Sequence, residues 1–199
     1  MNYLPKKKLT LVILTYERPE YLDECLISIK KQTFKNFEIF IIDNGSKKKY
    51  NKVLVKHKDL KINYIKHKRN LGVIKNFNYA LKLKFSTKYI MLFHDDDIME
   101  STLLEKSISL LEKYKELTWV GSLSESFYNK PSFEKNNKLD YELLDSNKLA
   151  IKIFESPLHH GTVIYRRDII KKLDYEKLGK IYGILCDRPF LFEVLGNKK

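Results

Sequence analysis

The strongest constraint on the fold is the regular alternation of short apolar runs with helical patterns along the chain. Residues 9–14 are almost continuously apolar, which is typical of a strand buried on both faces of a sheet. Residues 18–32 follow with leucine and isoleucine at helical spacing and a proline near the start, where proline is tolerated. This alternation predicts an α/β fold with a doubly wound, mainly parallel sheet flanked by helices. Further strands are predicted at 37–42, 62–65, 89–93, 118–123 and 162–165, and further helices around 77–81, 103–111 and 185–195.

The sequence predicts a single domain spanning residues 1–199. With 43% hydrophobic and 13% aromatic residues, the chain has enough apolar side chains for a packed core. It contains no internal repeat and no Gly/Ser-rich linker that would divide it. Residues 124–147 are polar and charged, and we interpret them as a long loop.

The net charge is +13, from 38 Lys and Arg against 25 Asp and Glu. Such a charge attracts nucleic acid, anionic lipid headgroups or a phosphorylated substrate. Most of the excess is lysine scattered through the chain, and no nucleic-acid-binding motif accompanies it. We therefore attribute the charge to a compositional bias and predict no nucleic-acid partner.

The cysteines and the apolar runs bear on the cellular compartment. Cys25 and Cys186 lie far apart without metal-binding spacing, so we expect buried free thiols in a reducing cytoplasm. The N-terminal residues have no signal-peptide core, and no apolar stretch approaches the roughly 18 residues of a membrane span. We predict a soluble cytoplasmic protein, with peripheral contact to the inner face of the membrane left open.

Polar clusters follow three of the predicted strands, at residues 15–18, 43–46 and 95–97. Open α/β sheets bind ligands beyond the carboxyl ends of their strands. We therefore expect the three clusters to converge on one edge of the sheet and to form a single site.

The acidic triplet 95–97 is the most informative cluster. Asp95 and Asp97 are two residues apart in an extended segment and can point to the same side. Carboxylates so close repel each other unless a cation compensates them. Mg²⁺ and Mn²⁺ prefer oxygen ligands and often share them with substrate phosphates, so a divalent cation beside a diphosphate is predicted. The alternative is a solvated acidic turn that caps the following helix.

Several segments, in this order, resemble the family 2 glycosyltransferases. The similarity is good from residue 9 to residue 104, weak through the polar loop, and resumes at 161–173 and at Asp187. Together the motifs are far more specific than any one of them. They are the opening strand and turn at 10–19, the helix and second strand at 26–43, the turn at 43–46, the third element at 70–72 with 76–81, and the DxD-like triplet at 95–97.

The resemblance implies a GT-A fold that binds a nucleoside diphosphate sugar, with UDP-sugar favoured. It places Thr15, Tyr16 and Glu17 in the nucleoside pocket, where Tyr16 packs against the base. Asp43 is expected to accept the ring N–H of uracil, because a carboxylate is purely an acceptor. The usual Asn after the tyrosine is Glu17 in this chain, which predicts altered contacts to the donor.

The resemblance also assigns the diphosphate and metal site. Arg69 is expected to meet the diphosphate, with a plain surface arginine as the alternative. Asp95 is expected near the ribose or the Mn²⁺ or Mg²⁺ ion, and Asp97 is expected as its principal ligand. Because the register of the triplet differs among relatives, Asp96 is an alternative to Asp97.

An inverting transferase also needs a general base for the acceptor hydroxyl. Asp187 matches the family's late acidic residue in order, and Glu193 is the only acidic residue after it. The alternative for Asp187 is a helix N-cap. His159 and His160 either contact the acceptor or lie on the surface.

The chain ends soon after the helix of Asp187, where family members continue, so part of the acceptor region is expected to be missing. The expected acceptor is a hydroxyl of a glycan, a lipid-linked molecule or another compound, which suggests polysaccharide biosynthesis. A sugar-nucleotide nucleotidyltransferase is the main alternative enzyme, although its glycine-rich N-terminal loop is absent here. A catalytically inactive nucleotide-sugar-binding domain is the alternative of a different class.

Overall fold

A computed structural model describes residues 7–129, 131–133, 139–156, 158 and 160–196. Short 3₁₀ turns lie at Lys58–Leu60, His160–Thr162 and Gly183–Leu185. The strands are β1 (Leu9–Thr15), β2 (Phe37–Asp43), β3 (Asn63–Lys66), β4 (Tyr89–His94), β5 (Trp119–Gly121) and β6 (Val163–Arg166). The helices are α1 (Pro19–Lys30), α2 (Asn51–Lys56), α3 (Val73–Lys82), α4 (Leu103–Lys113), α5 (Ser146–Glu155), α6 (Arg167–Ile170), α7 (Tyr175–Tyr182) and α8 (Asp187–Gly196).

The strands form one six-stranded sheet in the order β3-β2-β1-β4-β6-β5. Strands β1, β2, β3 and β4 pair with one another in parallel, and β6 runs antiparallel to both β4 and β5. Thr15 pairs with Asp43 and Leu14 pairs with His94, so β1, β2 and β4 end at the same level. The predicted mainly parallel sheet is confirmed, and its register brings the three polar clusters to one edge.

The core lies on both faces of the sheet, which is why every residue of β1 is buried. Leu9, Leu11 and Ile13 belong to the cluster that includes α1 and α4. Val12 and Leu14 belong to the opposite cluster, which includes α3, α7 and α8. A strand covered on both faces needs apolar side chains on both, and this explains the continuous apolar run in the sequence.

Four helices were not predicted: α2, α5, α6 and α7. Helix α5 begins where the polar stretch ends, and the Asp145 side chain accepts hydrogen bonds from the backbone N–H groups of Asn147 and Lys148. Asp174 caps α7 in the same way. For α5 and α7 these aspartate caps were the local sequence signal, whereas α2 and α6 are only six and four residues long and have no side-chain cap. Within the described ranges, no helix combines the length and apolar character needed to cross a membrane.

The turn after β2 depends on Gly45. Its φ angle is +79°, a conformation that side chains with a Cβ rarely adopt. A Cβ at this position would also collide with the backbone of Arg69 and Asn70, which passes directly against the turn. Gly45 therefore allows the loop before α3 to pack on the end of β2.

We predict that Gly45→Ala lowers the free energy of unfolding by about 2 kcal/mol or more, because left-handed strain and overpacking add together. Urea denaturation measures this change. Lys47→Ala, in the same turn but exposed, is the control and should change stability by less than ~0.5 kcal/mol. Equal stability of the two variants would contradict the close packing of the loop on Gly45.

Candidate functional site

The polar clusters predicted to converge do so at the carboxyl ends of β1, β2 and β4. Thr15 connects the first and third clusters, because its Oγ1 donates a hydrogen bond of 2.6 Å to Asp95 Oδ2. The same hydroxyl lies 2.8 Å from the Tyr50 hydroxyl, which also accepts from the backbone N–H of Arg18 at 3.0 Å. Thr15 is therefore a buried connector between strands rather than an open surface of the nucleoside pocket.

Arg18 compensates the charge of the acidic triplet. Its Nη2 lies 2.7 Å from Asp95 Oδ1, and its Nη1 donates a hydrogen bond of 2.6 Å to Asp96 Oδ2. The compensating cation for Asp95 and Asp96 in this structure is therefore the Arg18 guanidinium. A guanidinium offers several donors in a planar fork and can hold two carboxylates at once.

The three carboxylates of the triplet differ in accessibility. The side chain of Asp95 is fully buried, and burial raises its pKa although Thr15 and Arg18 act in the opposite direction. The side chains of Asp96 and Asp97 are 40% and 39% exposed. Within the described part of the chain, no group of three or more His, Cys, Asp or Glu side chains is arranged to hold a metal ion. Asp96 and Asp97 are thus the two members of the triplet that reach solvent.

Glu17 connects the first cluster to the second. It adopts a left-handed conformation with φ +59°, and its backbone N–H donates to Ser46 Oγ at 2.8 Å. Its carboxylate accepts from the backbone N–H groups of Lys47 at 2.5 Å and Lys48 at 3.1 Å, and these bonds lower its pKa. Glu17 therefore holds two turns together. Its neighbour Tyr16 has a ring that is 40% exposed and is accessible to a ligand.

Asp43 is fully buried at the end of β2. Its Oδ1 accepts from the backbone N–H of Ser46 at 2.8 Å, and its Oδ2 accepts from the Tyr64 hydroxyl at 2.5 Å. Burial, followed by this bond to Asp43, raises the pKa of Tyr64. The Tyr64 hydroxyl thus already occupies a hydrogen-bonding position on Asp43 Oδ2, and Lys66 Nζ lies 3.8 Å from the same oxygen.

The loop at residues 70–72, which precedes α3, is anchored to the second polar cluster, residues 43–46, through Asn44. The Asn44 side chain donates to Asn70 Oδ1 at 2.9 Å and accepts from the backbone N–H of Leu71 at 2.9 Å. Asn70 Oδ1 also accepts from the backbone N–H of Gly72 at 2.7 Å, at the start of α3. Arg69 lies exposed on this anchored loop.

Asp187 is the first residue of α8, and its side chain is 42% exposed. Its Oδ1 accepts from the Tyr175 hydroxyl at 2.5 Å and lies 3.3 Å from His160 Nδ1, although not in line for a hydrogen bond. Burial alone would raise the pKa of Asp187, but the His160 and Tyr175 contacts outweigh it and lower the pKa to about 2. Within the described residues, its carboxylate contacts side chains of other elements, Tyr175 and His160, and accepts no hydrogen bond from a backbone N–H of α8. The N-cap alternative is therefore not supported.

Two histidines connect Asp187 to the acidic triplet. His160 is fully buried, and its Nε2 lies 3.3 Å from Nε2 of His94. Nδ1 of His94 lies 3.6 Å from Asp97 Oδ2. Burial, followed by the neighbouring His160, lowers the pKa of His94. The alternative that His160 is a surface residue is wrong, and His159 lies outside the described residues.

Aromatic rings surround the histidine that faces Asp187. The Phe77 ring lies 4.7 Å from His160 in an edge-to-face contact and stacks on Tyr175 at 5.0 Å between ring centroids. Phe190 of α8 contacts both Tyr175 and His160. These contacts restrict the rings to one arrangement, so the distances around Asp187 are set by packing.

Sequence reasoning missed most of the residues that hold the site together. Tyr50, Tyr64 and Tyr175 come from elements distant in sequence from the carboxylates they contact, and no spacing links them. The side chain of Arg18 belongs to the first cluster, but its role as the cation for the triplet needed the register of β1 and β4. Two cavities of about 800 and 510 Å³ border α4 and lie apart from these residues.

Comparison with known proteins agrees with this arrangement. A family model described as Glycosyl transferase family 2 matches residues 10–174. A glycosyltransferase of Haemophilus influenzae is 29% identical over 171 residues, which cover 82% of this chain and 53% of that protein. A glycosyltransferase of Methanocaldococcus jannaschii is 30% identical over 182 residues, which cover 87% of this chain and 61% of that protein. The chain thus spans between about half and three fifths of the length of these relatives.

Solved structures share the fold. The crystal structure of S. aureus TarS 1–349 superposes with a TM-score of 0.74 at 20% identity, covering 96% of this chain and 56% of that chain. The complex of the same fragment with UDP gives a TM-score of 0.68 at 21% identity, and the match covers 92% of this chain and 53% of that chain. The mannosyltransferase PcManGT from Pyrobaculum calidifontis, in complex with GDP-Man and Mn²⁺, gives a TM-score of 0.59 at 14% identity. The match covers 90% of this chain and 52% of that chain.

The structural similarity and the sheet topology together confirm the predicted GT-A fold. The family match covers most of the chain, from the first strand to the residue that caps α7. The chain belongs to the family 2 glycosyltransferases.

Proposed function

We propose that this chain transfers a sugar from a nucleoside diphosphate donor, with UDP-sugar favoured, to a hydroxyl acceptor with inversion at the sugar carbon. The observation that carries the proposal is the continuous cluster from Asp97 through His94 and His160 to Asp187. It joins a group suited to a diphosphate and its cation with a carboxylate suited to an acceptor. Transfer of a sugar between two oxygens needs both in one site.

On the donor side, Tyr16 presents an exposed ring for the base, and Arg69 lies on the anchored loop beside the second cluster. Arg18 supplies a positive charge next to Asp95 and Asp96. Similar proteins that bind UDP or GDP-Man share this fold, which supports a nucleotide-sugar donor. The preference for uracil as the nucleobase is inferred from Asp43 as its hydrogen-bond acceptor.

Asp97 and Asp96 would hold a divalent cation, because their oxygen donors suit Mg²⁺ or Mn²⁺ and their side chains reach solvent. Asp95, fully buried and paired with Thr15 and Arg18, would orient this segment instead of binding the ion directly. Such an ion supplies positive charge for the departing diphosphate.

On the acceptor side, Asp187 would take the proton of the attacking hydroxyl. The contacts of its carboxylate with Tyr175 and His160 both fall on Oδ1, which leaves Oδ2 to receive the proton. As the acceptor oxygen bonds to the sugar carbon, the bond from that carbon to the diphosphate oxygen breaks on the opposite side. A pKa of about 2 keeps Asp187 ionised at neutral pH but makes it a weak base. The proton therefore moves late, when the new bond has made the hydroxyl acidic.

We predict that UDP binds more than about tenfold more tightly in Mn²⁺ than in EDTA, because the ion offsets repulsion between the diphosphate and the triplet. Isothermal titration calorimetry measures both affinities. Asp97→Ala should remove the metal-dependent part and leave the fold intact. Asp168→Ala, an exposed carboxylate at another edge, is the control and should behave as the unmodified protein.

Equal affinity for UDP in Mn²⁺ and in EDTA would contradict the metal assignment. In that case Arg18→Gln should abolish UDP binding, since Arg18 would be the cation of the site. If the metal assignment holds, Arg18→Gln should instead strengthen Mn²⁺ binding, because it removes a competing cation from Asp96.

We predict that uracil displaces the Tyr64 hydroxyl and donates its ring N–H to Asp43 Oδ2. Asp43→Asn replaces this acceptor by an amide that can donate a hydrogen bond. The binding free energy of UDP should therefore weaken by about 1–3 kcal/mol, and the binding preference should shift toward CDP. Calorimetry with UDP and CDP measures the shift.

Tyr64→Phe is the matched variant for this assignment. It removes the competing hydroxyl donor and should strengthen UDP binding, because Asp43 Oδ2 then keeps Lys66 Nζ at 3.8 Å but has no hydroxyl in place of the uracil N–H. Tighter binding of CDP than UDP by the unmodified protein would show that Asp43 does not read uracil, as would an unchanged UDP affinity in both variants.

We predict that Asp187→Asn lowers transfer by roughly 10²–10⁴-fold, the usual contribution of a positioned general base. Donor affinity should stay nearly unchanged, because Asp187 faces the acceptor. Release of nucleoside diphosphate from the donor sugar measures the rate, and Glu193→Gln on the same helix is the control. Near-normal turnover of Asp187→Asn with an unchanged melting temperature would assign Asp187 to structure alone.

A further inference from the structure

An apolar tip, defined here as residues 181–185, projects from the end of α7. Ile181, Tyr182, Ile184 and Leu185 are 63%, 51%, 76% and 78% exposed. Single exposed apolar side chains are common on soluble proteins, but four large ones within five consecutive residues mark an interaction surface.

The backbone geometry makes this tip protrude. Gly183 has φ +61°, and no atom lies within 4 Å of the position a Cβ would take there. The opposite face of α7 is packed, because Tyr175 and Leu178 are buried in the core and Gly179 contacts Ile74 of α3. The helix therefore holds the tip rigidly and directs its apolar side chains outward.

The apolar surface continues onto the neighbouring helices. The Phe154 ring of α5 is 65% exposed and packs against Phe192 of α8 at 5.0 Å between ring centroids. Arg188 donates to the Phe154 carbonyl oxygen at 3.1 Å and keeps a cationic side chain beside these rings. A groove of about 460 Å³ separates Tyr182 from these side chains and is lined also by Leu178, Pro189 and Glu193.

Positive charge surrounds the tip. Between residues 171 and 189 the chain has five Lys and Arg against three Asp and Glu. The acidic groups are each engaged by hydrogen bonds: Asp174 caps α7, Glu176 accepts from Asn78, and Asp187 accepts from Tyr175. The basic group is exposed and includes Lys172, Lys177, Lys180 and Arg188.

We propose that the apolar tip docks on the surface of an anionic lipid bilayer. Aliphatic and aromatic side chains ringed by lysines match the boundary between acyl chains and negatively charged headgroups. Ile184 and Leu185 enter the apolar layer, Tyr182 lies at the headgroup level, and the lysine stems extend toward the phosphates. The net charge of +13 adds attraction to such a surface at longer range.

Docking at this tip would also orient the site. Leu185 lies two residues before Asp187, so the first residue of α8 is close to the docking surface along the chain. An acceptor hydroxyl carried on a lipid anchor would then reach Asp187 from the bilayer. This last step depends on the proposed function, whereas membrane docking does not.

Co-sedimentation with vesicles tests the proposal. We expect binding to vesicles of phosphatidylcholine mixed with phosphatidylglycerol, weak binding to phosphatidylcholine alone, and release by salt. The double variant Ile184→Ser with Leu185→Ser should weaken vesicle binding at least about tenfold. The double variant Lys177→Gln with Lys180→Gln should weaken vesicle binding by about fivefold for each lysine removed. Val55→Ser is the control, since Val55 is 69% exposed between lysines on α2 and lies outside the tip.

Melting temperature and UDP affinity should stay unchanged in the tip variants, which separates docking from the donor site. Absence of vesicle binding by the unmodified protein would overturn the proposal, as would equal losses in the tip variant and in Val55→Ser. Equal binding to neutral and anionic vesicles would overturn the requirement for anionic lipid. Self-association on gel filtration that the tip variant abolishes, without vesicle binding, would assign the tip to contact between copies of the chain.

Discussion

The burial of Asp95 is the constraint on which the rest of the site depends. A fully buried carboxylate is unfavourable unless hydrogen bonds and a cation compensate it. Thr15 supplies the hydrogen bond from the neighbouring strand, and Arg18 supplies the charge from the following turn. Both partners come from β1 and the residues after it, so the parallel register of β1 and β4 is needed to form the group. Asp96 and Asp97, which follow directly, are held at the mouth of the site as a consequence.

The loops around this group are connected by hydrogen bonds between side chains and backbone. Glu17 holds the turn after β2 through two backbone N–H groups, and Asn44 holds the loop before α3. Such bonds leave the loop backbone little freedom, and preorganised polar groups avoid reorganisation when charge develops in a reaction. Glu17 replaces the asparagine common in the family, yet its carboxylate serves the architecture of the loops.

The late segment of the chain meets the acidic triplet through two imidazoles. His94 and His160 face each other through Nε2 atoms, so one ring must donate and the other accept. Their outer nitrogens face Asp97 and Asp187. The two imidazoles therefore lie between the two carboxylates, and the surrounding rings of Phe77 and Tyr175 hold this geometry. The low pKa of Asp187 is one result of that arrangement.

The sequence alone determined the alternation of strands and helices in the first half, the polar edge and the identity of its carboxylates, because buried strands and strand-end clusters are local patterns. It also indicated Asp187 through its place in the chain. Only the tertiary structure decided which cation faces Asp95, that the Tyr64 hydroxyl covers Asp43, and that His160 is buried beside Asp187. The strand direction of β5 and β6 was decided there too. These features depend on contacts between residues far apart in sequence, and local patterning contains no signal for them.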